Sequence, residues 1–207
     1  MLLLQEGLSA LGIEASCYEE AFVEYLNLLQ KWNRIFNLTA ICRPDEMVVK
    51  HLFDSLVVRP YLSGERIIDV GTGAGFPGIP LAIVEPHRHF VLLDSQIKKV
   101  NFLSAVKTAL GLTHVTVVHA RVEDFSPEVF FDTVLTRAFA SLEGIWEKTQ
   151  HLVGQGGQFL AMKGQYPLSE LEGFTEKDWK IQIHSLNVPF LNEKRHLVQF
   201  WQKDGVA

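Results

Sequence analysis

Four glycines within eight positions, Gly71, Gly73, Gly75 and Gly78, stand between the β-branched run Ile67-Ile68-Asp69-Val70 and the apolar stretch Ile79-Pro80-Leu81-Ala82-Ile83-Val84. A turn with so few Cβ atoms lets the backbone pass close to a ligand, and a helix that follows it aims unsatisfied N–H groups at that ligand. A plain tight βα loop would account for one or two of these glycines. Asp69 sits at the end of the run before the turn, and Asp94, 23 residues after Gly71, ends a second buried-strand run, His89-Phe90-Val91-Leu92-Leu93. A second parallel strand would set that acid beside ribose hydroxyls. Ser95 and a helical stretch from Lys98 to Leu110 follow, so Asp94 also fits a helix N-cap, and the two roles are compatible.

The register of the turn decides its ligand. Gly73-Ala74-Gly75-Phe76-Pro77-Gly78 satisfies G-x-G-x-x-G, the dinucleotide fingerprint, but there the first glycine leaves the strand directly, and here Gly71 does so two positions earlier. Counted from Gly71, the run D-V-G-T-G-A-G resembles the first motif of the class I S-adenosylmethionine-dependent methyltransferases. Their glycine turn passes under the methionine and ribose part of the cofactor. A nicotinamide dehydrogenase is the alternative that the weaker register leaves.

Other chemistry-bearing residues are spread along the chain. His51, Asp54 and Ser55, at i, i+3 and i+4, share one helix face; a His and an Asp without further ligands form a surface hydrogen bond more often than a metal site. Arg121-Val122-Glu123-Asp124 follows a third strand, where a doubly wound sheet presents its next loop to an adenine. Arg137 stands at the carboxyl end of a fourth strand, a position for a site residue, although a bland ion pair is the other reading. Lys31 and Arg34 lie off the apolar stripe of their helix, either as a solvated face or toward a polyanion.

These residues need a scaffold, and the pattern supplies one. From Ser16 to about Leu38, Phe22, Tyr25, Leu26, Leu29, Trp32, Ile35 and Phe36 recur at helical spacing, and packing is the accepted role of the aromatics. Arg43-Pro44-Asp45-Glu46 starts a next helix carrying Val48, Val49, Leu52, Leu56 and Val57, and Pro60 and Gly64 end the helical region. Strands follow at Thr113 to Ala120, Phe131 to Thr136 and Gly154 to Lys163, then at Trp179 to Leu186 and His196 to Gln202. The reading is an α/β, Rossmann-like, seven-stranded and mostly parallel sheet with an antiparallel last strand. Residues 1–63 form an N-terminal helical cap and residues 64–207 the methyltransferase domain.

Composition narrows the class. With 207 residues, 47% hydrophobic and 21% charged, the chain can bury a sizeable core. Two cysteines, Cys17 and Cys42, make neither a disulfide framework nor a metal set, which points to a reducing compartment and a cytoplasmic protein. Met1-Leu2-Leu3-Leu4 runs straight into Gln5-Glu6-Gly7 without a basic region or a long apolar core, unlike a signal peptide, and no run approaches membrane-spanning length. The net charge of −5 argues against a broad basic nucleic-acid surface, not against a local basic patch.

Several motifs together resemble one family, the glucose-inhibited division protein B family of bacteria, methyltransferases of the N7 of a guanine in 16S ribosomal RNA. They are Lys31-Trp32-Asn33 with Asn37-Leu38-Thr39, His51-Leu52-Phe53-Asp54-Ser55, Gly71 to Ile83, Leu92-Leu93-Asp94-Ser95, Arg137-Ala138, Lys163-Gly164 and Arg195-His196-Leu197-Val198. The resemblance implies S-adenosylmethionine as cofactor, with contacts at Gly71, Gly73 and Phe76, a ribose acid at Asp94, adenine-side contacts at Val122 and Glu123, and Arg137 facing the active site. Asp69, Gly75 and Arg137 complete the expected cofactor set, with Arg137 also the expected catalytic residue. Arg137, Lys163 and Arg195 are expected to hold the guanine or its phosphates, and His51, Asp54 and Ser55 to shape the wall between cap and cofactor. The partner is then 16S ribosomal RNA or a small-subunit particle, with no membrane and no metal.

The chemistry is consistent with the absences. Guanine N7 offers an in-plane lone pair and needs no deprotonation, so alignment dominates. No Asn/Asp-Pro-Pro-aromatic run follows the fourth strand, as in methyltransferases of exocyclic amines, and neither cysteine lies at a strand end for covalent attack on a pyrimidine. Two competing readings are a class I methyltransferase acting on a small molecule and a non-catalytic ribosome-assembly or division factor.

Overall fold

A computed structural model describes residues 2–137, 141–173 and 179–202. Ala138, of the Arg137-Ala138 motif, lies outside the described residues. Helices α1 (Leu2–Ala10), α2 (Ala15–Phe36) and α3 (Pro44–Met47) come first, then a π-helical turn over Val48–Phe53 and a last short turn, α4 (Asp54–Leu56). Strand β1 (Arg66–Val70) leads through the glycine turn to α5 (Gly78–Val84), and β2 (His89–Asp94) to α6 (Ile97–Ala109). There follow β3 (Val115–His119), β4 (Phe131–Arg137), α7 (Leu142–Thr149), β5 (Val153–Lys163), α8 (Leu168–Gly173), β6 (Trp179–Leu186) and β7 (Arg195–Gln202).

The seven strands form one sheet in the order β3-β2-β1-β4-β5-β7-β6. Strands β1 to β5 pair in parallel, and β7 runs antiparallel to both β5 and β6. The expected class is thus the observed one, down to the reversed last strand. The order reverses beside β1, which opens a crevice at the carboxyl ends of β1 and β4, the usual ligand position of such sheets.

Alternation along the strands assigns each side chain to a face. Ile67, Phe90, Leu92, Leu135 and Leu160 join the core on one side; Ile68, Leu93, Val134, Phe159 and Ala161 join the core on the other. The first core is also that of the N-terminal helices: Leu8, Phe22, Tyr25, Leu29, Leu52 and Phe53 are fully buried in it. Each such side chain contributes about 1.5–3 kcal/mol of burial, so the periodic stripe of α2 fastens the N-terminal helices directly to the sheet.

The helix expected from Arg43 onward is present with a difference. Its middle widens into the π-helical turn, and residues 51–56 are all buried. Wide turns of this kind re-aim side chains that one face of a regular helix could not place. Here they aim at the crevice.

Candidate active site

The glycine turn is held from below by Asp69. Its Oδ2 accepts from Thr72 Oγ1 (2.6 Å) and from the Gly78 N–H (2.8 Å), tying the strand end to the start of α5. A Cβ at Gly78 would stand 2.3 Å from Leu92 Cδ2 and 2.8 Å from that same Asp69 oxygen, so only glycine fits. Asp69 is fully buried, and burial pushes its carboxyl up to about 6 against the pull of the two hydrogen bonds. It supports the loop and does not face open solvent.

From above, the turn is held by the cap. Tyr25 on α2 donates its hydroxyl to the Ala74 carbonyl (2.6 Å), and its ring lies 5.4 Å from that of Phe76. Gly75 has φ +94°, and a Cβ there would meet Ile79 at 2.6 Å and the Tyr25 hydroxyl at 3.0 Å. The sequence read Tyr25 as packing only; its hydroxyl partner lies 49 residues away, beyond what periodicity can show. Phe76 is almost fully buried. His51 stacks on it (4.3 Å between ring centres, 19°) and the Arg137 guanidinium sits over it at 5.2 Å.

Two cavities flank this turn. The first, of about 300 Å³, lies at the ends of β1, β2 and β3 and is lined by Gly71, Asp94, Ser95, Val122, Glu123 and Lys99 among others. Asp94 braces it: Oδ2 accepts from the Gly73 N–H (2.9 Å) and Oδ1 from the Gln96 N–H (2.9 Å). Lys99 Nζ stands 3.7 Å from Oδ2, and each oxygen has acceptor capacity beyond its one backbone bond, so the carboxylate can hold hydroxyls while serving the turn and α6. Glu123 is half exposed and pairs with Lys148 (3.2 Å).

The second cavity, of about 540 Å³, is lined by His51, Asp54, Arg137, Lys163, Arg195 and His196 among others. Asp54 organises it. Its Oδ1 accepts from Arg195 Nε (3.0 Å) and its Oδ2 from Arg137 Nη1 (3.4 Å), bringing together residues from the cap, β4 and β7. Burial holds its carboxyl above the usual range, opposed by both guanidiniums. Arg195 also meets Glu193 (2.9 Å), which in turn meets Lys50 (3.2 Å). Lys163 lines the same cavity, with its Nζ on Glu170 (2.8 Å).

His51 is 6% exposed, with Nε2 2.8 Å from Thr39 Oγ1. Burial and the Arg137 charge lower its pKa to about 3, so the ring is neutral at working pH and a poor proton acceptor. Ser55 differs from its two helix-mates. It is fully buried, donates to the His51 carbonyl (2.5 Å), and is not part of the cavity lining.

Asp69 Oδ1 and Thr136 Oγ1 are buried without a hydrogen-bond partner among the described residues, on opposite faces of the sheet and outside both cavity linings. They stand at the ends of the adjacent strands β1 and β4. The Asp94 carboxylate, the backbone at Gly71 and the Val122 wall of the first cavity suit the hydroxyls and ring of an adenosyl amino acid. No cluster of three or more His, Cys, Asp or Glu that could hold a metal occurs among the described residues.

A family model described as GidB, rRNA small subunit methyltransferase G, matches residues 18–198. The ribosomal RNA small subunit methyltransferase G of Aeromonas salmonicida (strain A449) is 49% identical over 199 residues, covering 96% of this chain and 94% of its own. Among solved structures, the YcgJ protein from Bacillus subtilis aligns with a TM-score of 0.58 at 15% identity, over 75% of this chain and 100% of that one. The glycopeptide N-methyltransferase MtfA, complexed with S-adenosyl-L-methionine, aligns at 0.55 and 12% identity, over 74% and 87%. At such identities the likeness shows the fold, that of the class I methyltransferases.

Proposed function

Because this chain belongs to the rRNA small subunit methyltransferase G family, we propose that it transfers the methyl group of S-adenosylmethionine to the N7 of a guanine in 16S ribosomal RNA. The cofactor supplies an electrophilic methyl group on a sulfonium. Gly71, Gly73 and Asp94 hold it, with Val122 and Glu123 on the adenine side and Asp69 beneath the turn.

The observation that carries the choice of acceptor atom is the second cavity. Arg137, Lys163 and Arg195 line it, beside His51, Asp54, Glu193 and His196. Asp54 is engaged by two guanidiniums, and His51 has a pKa of about 3. A lining so rich in cations suits guanine, whose N7 attacks with a free lone pair and needs no base. Guanidinium N–H groups match the guanine O6 edge and phosphate oxygens. What the side chains contribute is alignment and charge, the proximity term.

The substrate is the RNA itself or an assembling small-subunit particle, encountered in the cytoplasm, where residues 1–63 act as a cap over a methyltransferase domain of residues 64–207. No helix among the described residues is long and apolar enough to cross a membrane.

The test is transfer of labelled methyl from S-adenosylmethionine to small subunits, and to their stripped RNA, from cells lacking this protein. Label at one guanine N7 is expected. Arg137→Ala is expected to lower transfer at least a hundredfold, the scale of a lost charge stabiliser, while leaving cofactor affinity within about threefold. Unlabelled RNA beside a bound cofactor would place the acceptor among small molecules.

A further inference from the structure

Beyond the two cavities at the strand ends, a third of about 600 Å³ opens between the C-terminal half of α2 and residues 37–47. Gln30, Asn33, Asn37 and Thr39 line it with amide and hydroxyl groups that both donate and accept, and Arg34 adds a cation. Two of these serve the fold. Asn33 Oδ1 accepts from the Thr39 N–H (2.8 Å), and Thr39 Oγ1 meets His51. The side chains of Gln30, Arg34 and Asn37 have no hydrogen bond or ion pair among the described residues.

Only a thin wall separates this groove from the cavity of Arg137. Thr39, Ala40 and Cys42 line the groove, while Ile41, between them, lines the cavity beyond. At the same end of α2, Phe36 is 38% exposed and Ile35 70% exposed, with Lys98 Nζ donating to the Phe36 carbonyl (3.1 Å). Amides with both hydrogen-bonding senses and a guanidinium without an ion pair among the described residues form the set that receives an unstacked nucleobase and its phosphate.

We propose that this groove is a second RNA site, taking an unpaired nucleobase that neighbours the guanine presented to Arg137, with Arg34 on the intervening phosphate. The proposal rests on the RNA reading above. It gives the acidic chain a local source of RNA affinity without a broad basic surface, and it makes the bases beside the target part of what is recognised.

Two measurements on the full chain test it, with small-subunit RNA as acceptor and wild type as reference. Arg34→Ala, and separately Gln30→Ala, are expected to raise KM for RNA; the loss of a charge-assisted contact by Arg34→Ala corresponds to about tenfold. S-adenosylmethionine affinity should stay unchanged, and the salt dependence of RNA binding should weaken by about 0.7 in log–log slope for Arg34→Ala. Cys42, exposed in the groove, should be alkylated several-fold more slowly with RNA bound, whereas the exposed Cys17 should not. An unchanged KM in both variants, or an unprotected Cys42, while wild type methylates RNA, overturns the groove and leaves the proposed function standing. Failure of wild type to methylate RNA overturns both.

Discussion

Tyr25→Phe removes one oxygen atom from the junction of cap and cofactor loop. The ring contacts to Phe76 and Phe102, at 5.4 and 6.4 Å, survive in the variant. What is lost is the 2.6 Å bond to the Ala74 carbonyl, in a place where Tyr25 is fully and Ala74 almost fully buried. Burial also holds the phenol well above its usual pKa, so the hydroxyl remains a donor throughout the working range. A buried carbonyl left without its donor costs about 1–3 kcal/mol. With a urea m-value of about 2 kcal/mol per molar, the unfolding midpoint should fall by about 0.5–1.5 M at constant m. The same loss loosens the turn that presents Gly73 and Gly75, so calorimetry should show the S-adenosylmethionine Kd rising about five- to thirtyfold where 1–2 kcal/mol falls on binding. If the midpoint moved by less than about 0.2 M and the Kd did not change, Tyr25 would be a packing residue and its hydrogen bond incidental.

Two further outcomes follow from the buried titratable groups. Asp69 has a folded pKa of about 6, above the unfolded value, so the folded state holds the proton more tightly and stability falls as pH rises from about 4 to about 6, by up to ~3 kcal/mol. Asp69→Asn keeps an acceptor for Thr72 and Gly78 but does not titrate, so the wild-type-minus-variant difference in urea stability should carry this slope; a difference flat across pH 4–7 would refute the assignment. His51 behaves in the opposite sense. With its pKa near 3, the unfolded chain binds the proton first and stability is lost as pH falls below about 6.5; by NMR its ring protons should show no titration between pH 8 and 5, and a midpoint near 6.5 would show an accessible ring.

What could be read from sequence was the local part of the design. The glycine run, Asp69 and Asp94 lie within one βαβ unit, where strand, turn and helix follow one another without long-range partners, and the β-branched runs mark their strands to within a few residues. The reversed last strand was legible through the two apolar runs after Lys163 with no helical pattern between them. Asp54 is the counter-example. Its helix and its face were visible, but its partner Arg195 is 141 residues away, and nothing in spacing states that β7 inserts between β5 and β6 to bring it there. Ser55 shared Asp54's face on an ideal helix yet donates to the i−4 carbonyl of His51, as helical serines do, a choice that spacing does not state. Helix α7 was not foreseen: its eight residues offer too short a period, although Ser141 does cap it by accepting from the Gly144 N–H (3.2 Å).

The position of β7 bears on how the protein is made. Apart from Lys148, all that lines the first cavity, through Glu123, leaves the ribosome some seventy residues before Arg195, an interval of about 4–14 s at ~5–20 residues per second. During that time the outer edge of β5, which β7 later covers through residues 159–163, is an unpaired strand edge open to wrong partners. A nascent chain can therefore hold most of the first cavity while the second still lacks one of the two guanidiniums on Asp54. Vectorial synthesis thus orders the two halves of the site in time, and the antiparallel hairpin that ends the sheet is also what ends the interval of risk.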